Sequence, residues 1–183
     1  RQKRGRNIML KNLLRSRPAP LDGNALYARA VTQARRPEFY TRLGVDDRID
    51  ARFELYTLHV LLLVLRLRDD GERGGEAAQV LFDTYVSALD NSLRELGVGD
   101  VSVGKKMRKL GESLYGRMTA YEAPLRTGDA AALTAGLARN VYGHDDIAAA
   151  EALAGYVIAS RATLAAQEFK AVIRQPDWAE LPA

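Results

Sequence analysis

The sequence predicts an all-α fold, a single-domain bundle of about six or seven helices. Three observations carry that prediction. Beyond the first twenty residues, apolar side chains recur at three- and four-residue spacing almost to the end of the chain. Pro, Gly and Asp fall between those stretches, where helix starts and stops would stand. The chain has 183 residues, of which 47% are hydrophobic and 27% charged, enough for one sizeable core. The expected organisation is a basic arm at 1–20, a helical domain at 21–175 and a tail at 176–183.

The elements follow in order. Pro18 and Pro20 separate the arm from the body. Asp22 is placed to cap a helix running to about Arg36, with Leu26 and Ala30 on one face. Pro37 starts a short helical piece through Phe39, Tyr40 and Leu43, which Gly44 stops. Asp46 is positioned to cap a long helix to about Arg68, whose turn from Leu61 to Leu65 is apolar on every side, as in a buried central helix. Asp69 to Gly75 is polar and Gly-rich and is expected to be a loop. Leu81, Tyr85, Leu89, Leu93 and Leu96 then form a helical stripe, with Gly97 in the position of a left-handed cap. Residues 97–104 are expected to link to a helix bearing Met107, Leu110, Leu114, Met118 and Tyr121 on one face, with Pro124 marking its end. Asp129 caps a shorter helix that Gly143 closes, and an Ala-rich last helix is expected from about Asp145 to Ile173. Pro176, Trp178 and Pro182 lie in the tail.

The formal charge of +4 divides unevenly. Of 27 basic residues, seven lie within 1–17 (Arg1, Lys3, Arg4, Arg6, Lys11, Arg15, Arg17), where there is no acid. The remainder carries 20 basic against 23 acidic groups, a net of −3. A basic arm suits an anionic partner such as RNA or a lipid headgroup surface. Leu10, Leu13 and Leu14 give that arm one apolar side, and Met9 is a candidate start. With no cysteine, disulfides and thiolate metal sites are excluded. The longest unbroken apolar run, Val60 to Leu65, is far short of the roughly 20 residues of a membrane span, and none is expected.

Gly99 to Lys106 has the spacing of a phosphate-binding loop but lacks its chemistry. That loop needs Ser or Thr after the lysine as a magnesium ligand, and here Lys106 follows Lys105. It also needs a preceding strand, where this sequence predicts a helix. What remains is a crowd of cations, Lys105, Lys106, Arg108 and Lys109, at the expected start of a helix. Cations there oppose the helix dipole by roughly 0.3–1 kcal/mol each, so an anionic partner explains the arrangement better than stability does. His59, between Leu58 and Val60, is expected to be a satisfied core residue. His144, beside Asp145 and Asp146, is expected to belong to a helix cap rather than to a metal site. Asp83 and Asp90 share a helix face, and Arg94 follows Asp90 at ion-pair spacing, so a surface pair is expected there rather than catalysis. No cofactor, metal or catalytic set is predicted, and the chain is expected to be a binding protein.

The stretches Arg52 to Val60, Leu81 to Tyr85, Asp90 to Asp100, Val103 to Leu110, Tyr115 to Arg117 and Ala120 to Glu122 together resemble the ubiquinol–cytochrome c chaperone family. The run Leu93-Arg94-Glu95-Leu96-Gly97-Val98-Gly99-Asp100, followed by Val103-Gly104-Lys105, is its most distinctive part. The likeness spans roughly residues 45–125 and becomes general outside them. It implies a non-catalytic helical domain that binds newly made cytochrome b during assembly of the ubiquinol–cytochrome c reductase complex. It further implies, in mitochondria, a position near the ribosomal exit tunnel with a small helical partner protein. The short leader and the fit of the core imply a bacterial member, cytoplasmic and peripheral to the inner membrane; a eukaryotic one would sit in the matrix. The expected contact region is Gly97, Gly99, Asp100, Gly104, Lys105, Lys106, Arg108, Lys109 and Arg117, beside an anionic membrane surface. The alternative is an RNA- or ribosome-binding protein using the arm and the cluster at Lys105–Lys109.

Overall fold

A computed structural model describes residues 21–182 apart from 96, 98, 145 and 146, and gives the backbone alone at 100, 101, 103 and 106. The predicted arm, and the pairing of His144 with Asp145 and Asp146, lie outside the described residues in whole or part. The helices are α1 (Gly23–Ala34), α2 (Glu38–Thr41), α3 (Ile49–Arg68), α4 (Gly71–Glu95), α5 (Asp100–Thr127), α6 (Ala130–Leu137), α7 (Ile147–Ala166) and α8 (Phe169–Arg174). A π-helical turn, Ala138–Tyr142, extends α6. No strand occurs among the described residues, so the all-α prediction holds.

The centre is α3, as its apolar turn predicts. Every residue from Thr57 to Leu67 is buried, with α1, α4, α7 and the π turn packed around it. The predicted caps at Asp22 and Asp129 form, accepting from Ala25 N at 3.1 Å and Ala132 N at 2.9 Å. Asp46 does not cap α3; the helix begins after Arg48, with no side-chain cap.

Other predicted boundaries are displaced as well. The Gly-rich stretch expected as a loop is the first turns of α4. Only Gly71, at φ +65°, turns the chain. Gly74 is helical and lies against α3, where a Cβ would sit 1.9 Å from the Leu67 carbonyl oxygen. Pro124 does not end α5, which continues to Thr127 and stops at left-handed Gly128. The long last helix is broken between Ala166 and Phe169. There the buried Arg66 donates from Nε to the Leu164 carbonyl (2.7 Å) and from Nη2 to that of Gln167 (2.6 Å). Those are carbonyls a helix end leaves without partners.

By length and composition α7 is apolar enough to cross a membrane, which the run-length reading did not anticipate, because Glu151 and Arg161 interrupt its apolar residues. One face of α7, carrying Leu153, Tyr156, Val157, Ser160 and Leu164, is nevertheless buried in the bundle. The predicted tail is also packed. Trp178 sets its ring 5.0 Å from that of His59, Ala179 N donates to Ser160 Oγ at 3.2 Å, and Arg42 holds the Pro182 carbonyl.

Candidate functional site

Helices α4 and α5 form a hairpin that turns through Gly97, at φ +76°. Their described buried residues lie toward the body: Gly74, Ala77, Ala78, Leu81 and Tyr85 on α4, and Leu114 and Tyr121 on α5. Between the helices lies an open groove of about 690 Å³. Phe82, Val86, Met107, Leu114 and Met118 provide its apolar surface, and Tyr115 stands at the edge with 75% of its area exposed.

Small residues leave this groove open. Gly75, Ala78 and Gly111 face it, and a Cβ added at Gly75 or Gly111 would touch nothing within 4 Å. Both methionines outside the arm, Met107 and Met118, line it. Unbranched thioether side chains adapt to irregular apolar partners, which is why they recur at surfaces that accept varied sequences. Water in this groove faces unsatisfied apolar area, and a binding partner would displace it.

The two edges of the groove differ in charge. On α4, Glu76, Asp83 and Asp90 repeat every seven residues and so share a face, flanking the groove-lining Gln79 and Val86, with Glu72 one turn before Glu76. Asp83 accepts from Gln79 Nε2 at 2.7 Å, and Asp90 pairs with Arg94 at 2.8 Å, as predicted. On α5, Arg108 lies seven residues and Glu112 three residues before Tyr115, so both stand at the groove's edge and offset one another, whereas the α4 edge is acidic. Arg68 lines the body end of the groove and pairs with Glu122 at 3.4 Å.

The predicted contact residues separate into three groups. Gly97 and Gly99 form the link, with Gly99 as the extended residue before α5 (φ −61°, ψ 150°). The link is shorter than predicted: α5 starts at Asp100, and Gly104 is inside the helix. Lys105, Lys106, Arg108 and Lys109 consequently sit in the second and third turns rather than the first two. Dipole effects fade beyond the first turn, so the conflict with the macrodipole is weaker than the sequence implied. Lys105, Arg108 and Lys109 are exposed.

Arg117 is turned to the interior instead. Its Nε reaches both carboxylate oxygens of Glu54 on α3, at 2.7 and 2.6 Å, its Nη2 also meets Glu54, and Ser113 accepts from Nη1. It lies twelve residues from Lys105, about 18 Å along the helix. Burial pushes the Glu54 carboxyl above the ordinary carboxylate range, and Arg117 draws it partly back. The carboxylate in turn raises Arg117 above the usual guanidinium value. The pair fixes the middle of α5 against the central helix.

His59 behaves as the sequence predicts. His59 is fully buried; its Nδ1 bonds with the Leu55 carbonyl at 2.7 Å and its Nε2 with Tyr156 Oη at 2.9 Å. Burial lowers its pKa to about 4, so it is neutral at ordinary pH. His144 is exposed, and its N–H donates to the Ala138 carbonyl at 3.3 Å across the helix end. Among the described residues no three His, Asp or Glu side chains are grouped to hold a metal ion.

The groove is the feature that sequence reasoning missed. The sequence places Met107, Leu110, Leu114, Met118 and Tyr121 on one helix face without saying what it meets; in the structure Leu114 and Tyr121 are buried, whereas Met107, Leu110 and Met118 remain partly exposed. The available clues were Gly111 inside a strongly helical stretch and the placing of methionine on that stripe.

Comparison with known proteins agrees with the fold. The family model described as ubiquinol-cytochrome C chaperone matches residues 41–177. The ubiquinol-cytochrome-c reductase complex assembly factor 1 of Xenopus laevis is 23% identical over 134 residues, which is 72% of this chain and 66% of that protein, just under two thirds of its length. The crystal structure of the Cbp3 homolog from Brucella abortus is similar at a TM-score of 0.78 and 33% identity, over 87% of this chain and 89% of that one.

Proposed function

The chain belongs to the ubiquinol-cytochrome C chaperone family, and from that premise we propose that it is an assembly chaperone of the ubiquinol–cytochrome c reductase complex that holds newly made cytochrome b in the groove between α4 and α5. The observation that carries the docking site is the groove itself: an open apolar surface with two methionines, kept clear by glycines. Such a surface shields apolar client segments until they pack elsewhere, and it performs no chemistry. The family is one of chaperones, not of enzymes. Affinity capture from native membranes tests the reading. Cytochrome b should be retained by the chain, and in a strain lacking it the assembled complex should fall; normal assembly in that strain would refute the role.

A second contact is favoured by Lys105 and Lys109, which are exposed and lie one turn apart on a side of α5 turned away from Met107. They suit an anionic surface beside the client: ribosomal RNA near the exit tunnel or lipid headgroups at the inner membrane. On this reading the protein works peripherally on the cytoplasmic side of a bacterial membrane, or in the matrix of a mitochondrion, alongside a small helical partner protein. The rival reading, in which RNA is the main partner, requires affinity for RNA that falls steeply with salt; a flat salt dependence dismisses it.

A further inference from the structure

We infer that the groove takes an amphipathic helix of about three turns carrying an apolar stripe and one basic edge, in preference to a bare apolar membrane span. The inference rests on the reading that the groove holds the client, and it names the kind of segment held.

Three features lead to it. The first is length. Met107 and Met118 mark the groove on α5 and are eleven residues apart, about 17 Å of helix. A partner helix laid along that distance presents apolar side chains at i, i+4, i+7 and i+11, the pattern of helix-in-groove recognition.

The second is charge. Glu72, Glu76 and Asp83 are exposed along the α4 edge. The nearest cation in sequence, Arg73, leans away, with its guanidinium 4.5 Å from the Phe169 ring centre and 3.3 Å from Asp70. A helix seated in the groove takes water from these carboxylates. A bare apolar helix returns nothing for that loss, whereas lysine or arginine on the adjoining edge does.

The third is the asymmetry of the groove. Its opposite edge carries Arg108 and, four residues on, Glu112, both exposed, so the charges there offset one another and the α4 edge is the one that calls for a charged partner. With the excess charge on one edge only, a helix basic along one edge is favoured in the direction that sets that edge against α4.

The test uses the full chain and fluorescein-labelled peptides of about 14 residues with leucine at i, i+4, i+7 and i+11. One peptide has lysine on one edge and glutamate on the other; a second has glutamine on both edges; a third has glutamate on both. Anisotropy at low salt should show the mixed-edge peptide binding about tenfold more tightly than the neutral one, with the doubly acidic peptide weakest and the differences shrinking at high salt. In a Glu76→Lys/Asp83→Lys variant the α4 edge loses its excess of acid, and the advantage of the mixed-edge peptide over the doubly acidic one should vanish or reverse. Neutral binding equal to or tighter than mixed-edge binding would overturn the inference. A Gly111→Phe variant separates the two levels, because its ring fills the groove where a Cβ meets nothing. If that variant binds the mixed-edge peptide as well as the parent does, the groove reading itself is wrong. If it loses all three peptides while the parent shows no charge preference, only the basic-edge inference fails.

Discussion

Removing the Arg117 side chain decides whether that residue positions α5 or meets a partner. In Arg117→Ala the Glu54 carboxylate loses its counter-charge inside the protein, where its side chain is only 6% exposed against 21% for Arg117. Breaking a buried pair from one side costs roughly 3–5 kcal/mol, and the partial exposure of Arg117, which admits water, sets the expected loss at the low end, about 3 kcal/mol. In a chain of this size that lowers Tm by roughly 6–12 °C. The loss depends on pH in a defined direction. Burial already holds the folded-state Glu54 carboxyl above the ordinary carboxylate range, and losing Arg117 raises it further. Protonation therefore favours the folded state: the stability is fully present below the unfolded value and is lost as pH rises through the folded one. The variant should be weakest at neutral pH and recover part of its deficit as pH falls toward 4.5. Adding Glu54→Gln should restore part of the loss at neutral pH, since an amide costs less to bury than an unpaired charge. Thermal unfolding followed by circular dichroism at neutral and acidic pH reads all of this. A parent-like Tm at both pH values, or no rescue by Glu54→Gln, would refute the structural role of the pair.

Further expectations follow from the same geometry. Replacing Lys105, Lys106, Arg108 and Lys109 with Gln should change stability by less than about 0.5 kcal/mol while lowering complex assembly in cells; unchanged assembly would remove these residues from the contact surface. His59, held neutral with a folded pKa of about 4 against 6.5 unfolded, binds its proton more readily in the unfolded chain. Its contribution is therefore present above the unfolded value and lost as pH falls through the folded one, up to roughly 3 kcal/mol across that window. Urea titrations should show His59→Gln losing less stability between neutral pH and pH 4 than the parent; an identical slope would contradict this. Trp178→Ala should lower Tm by several degrees, because the ring covers His59; an unchanged Tm would mean that the terminal segment contributes no stability.

Much of the fold was legible because it depends on local pattern. The apolar turn at Leu61–Leu65 identified the central helix, and Asp22, Asp129, Gly44, Gly97 and Gly143 marked ends where the structure has them. Errors arose where glycine or proline was read only as punctuation. Gly74 is required by the close approach of α4 to Leu67, not by a turn. Pro124 lies within the last turns of α5, and Gly128 supplies the stop. The break after Ala166 depends on Arg66, about a hundred residues earlier in the chain, and no local pattern reports such a distant donor. The candidate site was half legible for the same reason. The cations at Lys105–Lys109 were visible as a cluster, but the groove requires α5 to lie opposite Gly75 and Ala78. Arg117 looked like one more surface cation until Glu54, 63 positions away, met it.

Gly111→Phe bears most directly on the central claim that the groove holds the client. The substitution removes a mid-helix glycine, which by helix propensity gains about 0.5 kcal/mol, and its Cβ meets no neighbour, so the fold should survive with its Tm unchanged or slightly raised. Captured from native membranes beside the parent chain, the variant should lose cytochrome b that the parent retains. Equal retention by a correctly folded Gly111→Phe chain would contradict the account.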